Sequence, residues 1–473
     1  MSSTRAATGI PLHTKILLGL LVGAVVGVIM NLTLGGAHPL VAGLNEYLAG
    51  PIGAIFLNLL FMIVIPLVFA SIALGVAGLG DLKRVGRIGA KTLAFFLVST
   101  ALSVGVGLTM VHLFSPGTRI TPEVRTQLLT TYGGDAATRM QAAEQSTFGI
   151  QTVVNIVTRN PIRSAVELDL LGIIFFGIVF GAAITMITAE RGRTMIGFLE
   201  SLNEIVLKIV DMAMKLAPYG VAGLIFGVTS RFGLSLLQPL AVYVAVVLAA
   251  LLVHVVVNYS IILRLFVGIS PRVFFSRIRA PMITAFSTSS SNGTLPTSIA
   301  TAEQSLGIPS KIAGFVLPLG ATMNMNGTSL FEGVTVIFLA QVFGIDLTIG
   351  QQAIVMVMCV ITAVGAAGVP GGSLPLLIGI LAMFGVPGEG IALILGVDRI
   401  LDMARTTVNV TGDLVATGLV ARSERVWDAS MVPPLGAGAG ARPLDGSPGW
   451  PLGDVPEVVG VPAPVDTPPT RPA

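Results

Sequence analysis

Five polar residues, Asp398, Asp402, Arg405, Asn409 and Asp413, sit in the otherwise apolar stretch LILGVDRILDMARTTVNVTGDLVATGLV. At about 100° per residue they fall within a sector of roughly 80°, one narrow stripe along a helix. The rest of that helix is mostly Leu, Ile, Val, Met, Ala and Gly, so lipid or apolar protein must surround it. Ionised groups are expensive in such surroundings, and intramembrane carboxylates and arginines mark functional sites by default. The plainer alternative is an ion-paired packing seam, because Asp402 and Arg405 are i, i+3 neighbours.

The composition says what must hold this stripe. Of the 473 residues, 53% are hydrophobic and 11% charged, whereas a soluble domain carries about 25% charged residues. From Pro51 to Gly80 no side chain is charged, long enough to cross a hydrocarbon core of about 30 Å. These numbers predict a polytopic integral membrane protein. The net charge of +3 says little about partners, and nothing points to nucleic acid. The single Cys359 lies in an apolar run, so no intrachain disulfide can form. The N-terminus imitates a signal peptide, but the spans that follow make it a first membrane helix. No G-x-x-x-x-G-K-[ST] signature occurs, which argues against ATP as the power source.

Hydropathy predicts eight crossings, near 14–35, 51–79, 91–115, 149–188, 200–226, 236–265, 310–343 and 387–421, the fourth broken around Arg159-Asn160-Pro161. Basic clusters lie at Arg5 and Lys15, at Lys83, Arg84, Arg87 and Lys91, at Arg191 and Arg193, at Arg272, Arg277 and Arg279, and at Arg422 and Arg425. A chain that starts inside puts every cluster on the cytoplasmic face, as the positive-inside bias expects. Both termini are then cytoplasmic, and the polar stretch from Ser115 to Ser146 lies outside. The last stretch is Pro- and Gly-rich without periodicity, the composition of a disordered tail.

Two further apolar segments, 272–304 and 352–385, are each interrupted at mid-length: by AFSTSSSNGTLPTS (Ala285 to Ser298) and by GAAGVPGGSLP (Gly365 to Pro375). Irregular backbone at membrane depth is tolerated only where it is buried or lines a cavity. Each segment reads as a re-entrant helical hairpin, the first entering from inside and the second from outside. Such a pair points to a transporter's midplane site, with helix N-termini facing anionic groups and freed carbonyls facing cations. A pair of ordinary kinked helices is the alternative, and the hydroxyl-rich Ser287–Ser291 tip speaks against it.

Between the hairpins, LPLGATMNMNGTSLFEGV places Asn324, Asn326, Gly327 and Thr328 inside an apolar helix. Asn and Gly lower helix propensity, so the helix is expected to unwind there and free carbonyls that suit a hard cation such as Na+. Glu332 follows in the same helix. Desolvation favours the neutral form of a lone carboxyl, the property a proton carrier uses, and a hydrogen-bonded structural carboxyl is the equal alternative.

These pieces in this order, together with FMIVIPLVFASIALGVAGLGDLKRVGRIGAK (Phe61 to Lys91), resemble the dicarboxylate/amino acid:cation symporter family, which includes glutamate transporters and their prokaryotic homologues. The resemblance runs from about residue 14 to 425. It implies an all-α polytopic inner-membrane protein with eight transmembrane helices, two re-entrant hairpins and inverted repeats, working as a homotrimeric elevator. It also implies a division into a cytoplasmic N-terminus (1–13), a mainly scaffold and trimerisation region (14–270, its third and sixth helices joining the moving part), a transport core (271–425) and the tail (426–473). The activity implied is symport of L-aspartate or L-glutamate with Na+ and/or H+, without enzymatic chemistry and without any cofactor beyond the coupling ions.

By position, the resemblance makes Asp402 the carboxylate for the substrate's amino group and Arg405 the guanidinium for its side-chain carboxylate. Bidentate geometry explains Arg rather than Lys there. Ser290, Ser291, Thr328, Thr406, Asn409, Gly368 and Val369 would complete the substrate site, the last two on the outer, gating tip. A first Na+ site would use Asp413 with carbonyls of Gly320, Asn324 and Asn409. A second would use carbonyls of Thr322, Ala363, Val364 and Ala366. A third, at Ser99, Thr100 and Asn326, would lack two family ligands, because Asn326 replaces an aspartate and Phe96 a tyrosine. The family's second arginine is also absent, with Ser289 and Met403 at its two alternative positions.

Keeping both Asp402 and Arg405 matches an ammonium and a distal carboxylate, and disfavours a proton-coupled C4-dicarboxylate carrier, the nearest alternative. An intramembrane hydrolase would need a base near the tip serines. Of the four histidines only His254 lies deep in a span, with no nearby motif. A channel is the third alternative, which saturable, concentrative uptake would exclude.

Overall fold

Backbone in lipid has to satisfy its own hydrogen bonds, and every regular element among the described residues of the computed structural model is a helix. The structure describes residues 12–121, 125–126, 128, 157–167, 170–366 and 368–433. Several expectations lie outside them: the roles of Arg5 and of the Lys83 and Arg84 side chains, most of the 115–146 stretch, the start of the fourth span, and the tail beyond Pro433.

The elements used below are α1 (Leu12–Leu34), α2 (Gly50–Met62), α3 (Val64–Val85), α4 (Arg87–Phe114), α5 (Leu170–Ile184), α6 (Ala189–Phe232) and α7 (Leu237–Val253). They continue with α8 (Arg279–Thr288), α9 (Ser291–Ala300), α10 (Ser310–Met323), α11 (Asn326–Phe343), α12 (Ile349–Gly365), α13 (Leu374–Met383) and α14 (Ala392–Ser423). Among the described residues, five helical stretches are long and apolar enough to cross a membrane: Thr14–Leu34, Pro39–Ala77, Arg87–Arg119, Ala189–Ser235 and Leu237–Val267.

The other three expected spans take different forms. The fourth is broken where expected: Asn160 caps a short helix, Pro161–Val166, through its Oδ1, before α5 begins. The 310–343 span is two helices, α10 and α11, parted at Asn324 and Met325. The last span is α14, whose charged stripe lowers its hydropathy. α6 is longer than hydropathy suggests because its first turns carry Glu190, Arg191, Arg193, Glu200 and Glu204. It is helical there because Leu199, Val206, Val210 and Ala213 bury one face.

Small residues set the closest helix contact. A Cβ at Gly19 of α1 would lie 2.2 Å from the Pro218 carbonyl oxygen of α6, and one at Gly23 2.4 Å from that of Ala222. Such backbone-to-backbone approach is how membrane helices gain contact without a hydrophobic driving force. On the opposite side α1 leaves Leu21, Val22 and Ile29 more than half exposed, a face suited to lipid or to another copy. At the centre, α11 buries every residue except Gln341.

After α14 the chain folds back. Glu424 accepts from Arg87 (Nη2, 2.7 Å) and Lys91 (Nζ, 2.6 Å) of α4. Burial would raise this carboxyl, but hydrogen bonds from Arg87 and Lys91 outweigh it and hold it below its ordinary value. Trp427 is buried and donates its Nε1–H to the Leu306 carbonyl at 2.8 Å, tying the chain beyond α14 to the base of the first hairpin.

Candidate functional site

α14 buries its whole stripe: Asp398, Asp402, Arg405, Asn409 and Asp413 are each at most 5% exposed. Arg405 is held from three sides. Its Nη1 donates to Asp398 Oδ1 at 2.8 Å, and its Nε and Nη2 lie 3.1 and 2.9 Å from Asp402 Oδ1. The Phe331 ring of α11 faces its guanidinium at 4.2 Å. Asp398 is therefore the anchor that aims Arg405.

Asn409 explains why α11 starts where it does. A helix leaves its first N–H groups without partners. Asn409 Oδ1 accepts from the Gly327 and Thr328 amides at 2.7 and 3.3 Å, while its Nδ2 donates to Thr328 Oγ1 at 3.0 Å. Gly327 is needed for this seat, because a Cβ there would lie 2.3 Å from the Arg405 carbonyl oxygen.

Both interrupted segments are split into two helices where expected, α8 and α9 in the first and α12 and α13 in the second. At the first tip Ser289 takes a left-handed backbone (φ 51°), and Ser290 caps α9 by accepting from Gly293 N–H at 3.0 Å. The tips meet: Ser290 Oγ donates to the Gly368 carbonyl at 2.8 Å, and Asn292 N–H to the same oxygen at 3.3 Å. From the second tip Gly371, at φ +74°, donates its N–H to Asp402 Oδ2 at 3.3 Å. Asp402 thus latches the second tip onto α14.

Behind this contact lies a small, nearly filled enclosure of about 10 Å³, room for about one water, so cargo has to part the tips to enter. Eight of the nine residues expected to hold substrate line it; Ser290 does not, being engaged with Gly368. Ser289, Met325 and Ser373 line it as well, none of them assigned from the sequence. Ser373 was findable as the one hydroxyl in the glycine-rich tip; Met325 carries no polar signal. The hydroxyls of Ser289 and Ser373 and the Nη2 of Arg405 are buried without a hydrogen-bond partner. Nη2 is close to Asp402, yet its N–H groups are not aimed at it. Unpartnered buried donors around one enclosure indicate where a ligand's oxygens belong.

Helix polarity has the same sense. Ser291 starts α9, Thr328 lies in the first turn of α11 and Ser373 precedes α13, so three helix N-termini converge on the enclosure. Positive dipole ends favour an anion. The expected cation ligands sit at the opposite ends: Gly320, Thr322 and Asn324 at the C-terminus of α10, and Ala363, Val364 and Ala366 at that of α12. Asp413 Oδ1 accepts from Asn324 Nδ2 at 2.9 Å and lies 2.5 Å from where a Gly320 Cβ would be, while Asn324 Oδ1 has no partner. Thr322, Val364 and Ala366 line a larger, more open space of about 250 Å³, with Ser71 and Asn203, on which Gly368 also borders; Ala363 is not among its lining residues.

The third expected cation set is different. Asn326 accepts from Thr100 Oγ1 at 2.7 Å, and its Nδ2 donates to Ser99 Oγ and to the Tyr259 hydroxyl at 2.8 Å each. The amide thus uses both donors and its acceptor on these neighbours. Glu332, fully buried in α11, accepts from Thr362 Oγ1 at 2.9 Å, and its other oxygen has no partner.

Comparison with known proteins gives the chain its family. The family model described as the sodium:dicarboxylate symporter family matches residues 12–423. The chain is 38% identical over 418 residues to a proton/sodium-glutamate symport protein of Bacillus subtilis (strain 168), covering 88% of this chain and 94% of the relative. It is 36% identical to a proton/glutamate-aspartate symporter of Escherichia coli (strain K12), over 80% and 86% of the two chains. A C4-dicarboxylate transport protein of Bacillus subtilis is 33% identical, over 80% and 88%.

Proposed function

The chain belongs to the sodium:dicarboxylate symporter family, a family of transporters and not of enzymes, and on that premise we propose that it carries acidic amino acids. The observation that supports this best is Asp402 and Arg405 side by side in one buried enclosure under three helix N-termini. An incoming L-aspartate or L-glutamate places its distal carboxylate on Arg405, displacing Asp402, and its ammonium on the carboxylate so released. The α-carboxylate goes to the hydroxyls and first-turn N–H groups of the tips. Exchange of one ion pair for two keeps every buried charge partnered, which is what makes burial of a charged cargo tolerable.

Coupling follows from the second tip. Cations at the C-terminal ends of α10 and α12 and substrate beneath Gly368 and Val369 both favour the tip against α14, so each strengthens the other's binding. Na+ is assigned to the two sets around Asp413 and Thr322, with Asn324 and Asn409 belonging to the first, because carboxylate and amide oxygens suit a hard cation. Glu332 is the position for a proton. At Ser99 and Thr100 the Asn326 amide stands where a third cation would need oxygens. We place eight crossings with both termini in the cytoplasm, residues 271–425 as the moving core, and three copies in the inner membrane, the core travelling as an elevator against the scaffold.

Radiolabelled L-aspartate uptake into proteoliposomes tests this, with an inward Na+ gradient or an inward H+ gradient imposed separately. Accumulation above equilibrium under either gradient, competed by L-glutamate, is the expected result and names the driving ion. Equilibration without accumulation would make the protein a channel, and no uptake would refute the cargo. An amine-free C4-dicarboxylate is the second reading, because a relative carries that name. It gives Asp402 no ammonium, which ranks it below the amino acids.

A further inference from the structure

Arg399 lies outside the polar stripe, about 100° around α14 from Asp398, yet its Nη1 reaches Asp402 Oδ2 at 3.4 Å. Its side chain is only 10% exposed, and its Nε is buried without a hydrogen-bond partner. Four charged side chains therefore form one chain: Asp398 to Arg405 to Asp402 to Arg399. The two carboxylates and two guanidiniums balance.

Cargo disturbs this balance at one point. Arg405 retains Asp398 through Nη1 and turns its remaining donors to the cargo's carboxylate, so Asp402 loses Arg405. An amino acid replaces the lost partner with its own ammonium. A dicarboxylate without an amine brings no counter-charge, and beside the neutral Gly371 N–H Asp402 then has Arg399 as its only cation. Removing the last partner of a buried charge is strongly destabilising. Arg399 has the unused donors to tighten onto Asp402 when Arg405 leaves.

We propose that Arg399 is a specificity-determining residue that acts through Asp402: as its resident counter-charge, it admits amine-free C4-dicarboxylates to the same site that takes acidic amino acids. The inference rests on the cargo site proposed above and extends its substrate class. Arg399 does not touch the cargo; it sets the penalty for a cargo without an ammonium. The same carboxylate that favours amino acids therefore does not exclude succinate.

The test is uptake of labelled L-aspartate and labelled succinate by the full-length protein in proteoliposomes, for wild type, Arg399→Ala and Arg399→Lys. Wild type is expected to take up both, each competing with the other. Arg399→Ala is expected to lose succinate uptake at least tenfold more than aspartate uptake. Arg399→Lys, which retains the charge, is expected to restore the ratio to within about threefold of wild type. If the alanine variant does not assemble, Arg399→Gln makes the same comparison. An unchanged succinate-to-aspartate ratio in the neutral variants, or a lysine variant as impaired as alanine, overturns the proposal. So does a wild type that excludes succinate. Succinate uptake that depends on Arg399 without any aspartate uptake would sustain this role while refuting the amino-acid reading; no uptake of either refutes both.

Discussion

Arg405 serves two carboxylates, Asp398 and Asp402, and must release one of them when cargo arrives. Its planar fork does this without moving the backbone: Nη1 remains on Asp398 while Nε and Nη2 leave Asp402. Lysine offers one charged nitrogen and cannot bridge both. Arg405→Lys is therefore expected to weaken L-aspartate binding by about 2–3 kcal/mol, roughly a hundredfold, read in a radioligand titration. The stripe that contains Arg405 was legible because ionised residues at helical spacing in an apolar run cost too much to persist without a role. Arg399 was not singled out, because it falls outside the stripe, although it is the i, i+3 neighbour of Asp402 on the other side from Arg405. Asn326 illustrates a second limit: the missing carboxylate can be read from one letter, but not that the amide would satisfy Ser99, Thr100 and Tyr259 together. Glu332 has one oxygen held by Thr362 and one free. Glu332→Gln is expected to retain aspartate binding and to lose the proton entry that accompanies uptake, followed with a pH-sensitive dye trapped in the vesicles.

The elements place these residues by ending where helices usually continue. Asn324 and Met325 between α10 and α11, serines between α8 and α9, and glycines between α12 and α13 each mark where a helix stops inside the protein. Every stop leaves N–H or C=O groups that need partners. The N-terminal ends of α9, α11 and α13 collect around the enclosure and the C-terminal ends of α10 and α12 carry the residues proposed to hold cations, a polarity that suits the proposed sorting of anion from cation. These breaks were readable from composition. The tip-to-tip contact was not, because no local pattern links Ser290 to Gly368 across the fold. Nor was the full length of α6, whose polar first turns conceal a buried face of Leu199, Val206 and Val210. Ser290 both caps α9 and bridges the tips. Ser290→Ala is expected to cost about 1–2 kcal/mol across the two hydrogen bonds. Because the Asn292 amide still holds Gly368, that cost is expected to appear as faster substrate release, measured by dissociation of bound label, with the protein still folded.

At the scale of the molecule, a membrane chain with a moving core needs a fixed partner surface. α1 packs its small residues on α6 and leaves Leu21, Val22 and Ile29 bare, and the elevator reading needs a scaffold held by other copies. A trimer mass for the purified protein in detergent, by native mass spectrometry, is the expected outcome; a monomer active in transport would remove that part of the account. The central claim is narrower and sits in the enclosure between the tips. It is tested most directly by calorimetric titration of the purified protein with L-aspartate in saturating Na+, beside Asp402→Asn and with L-alanine as control ligand. The account predicts saturable binding of aspartate to the wild type, none of alanine, and loss of aspartate binding in Asp402→Asn. Aspartate binding that survives Asp402→Asn unchanged, or no aspartate binding at all, would contradict it.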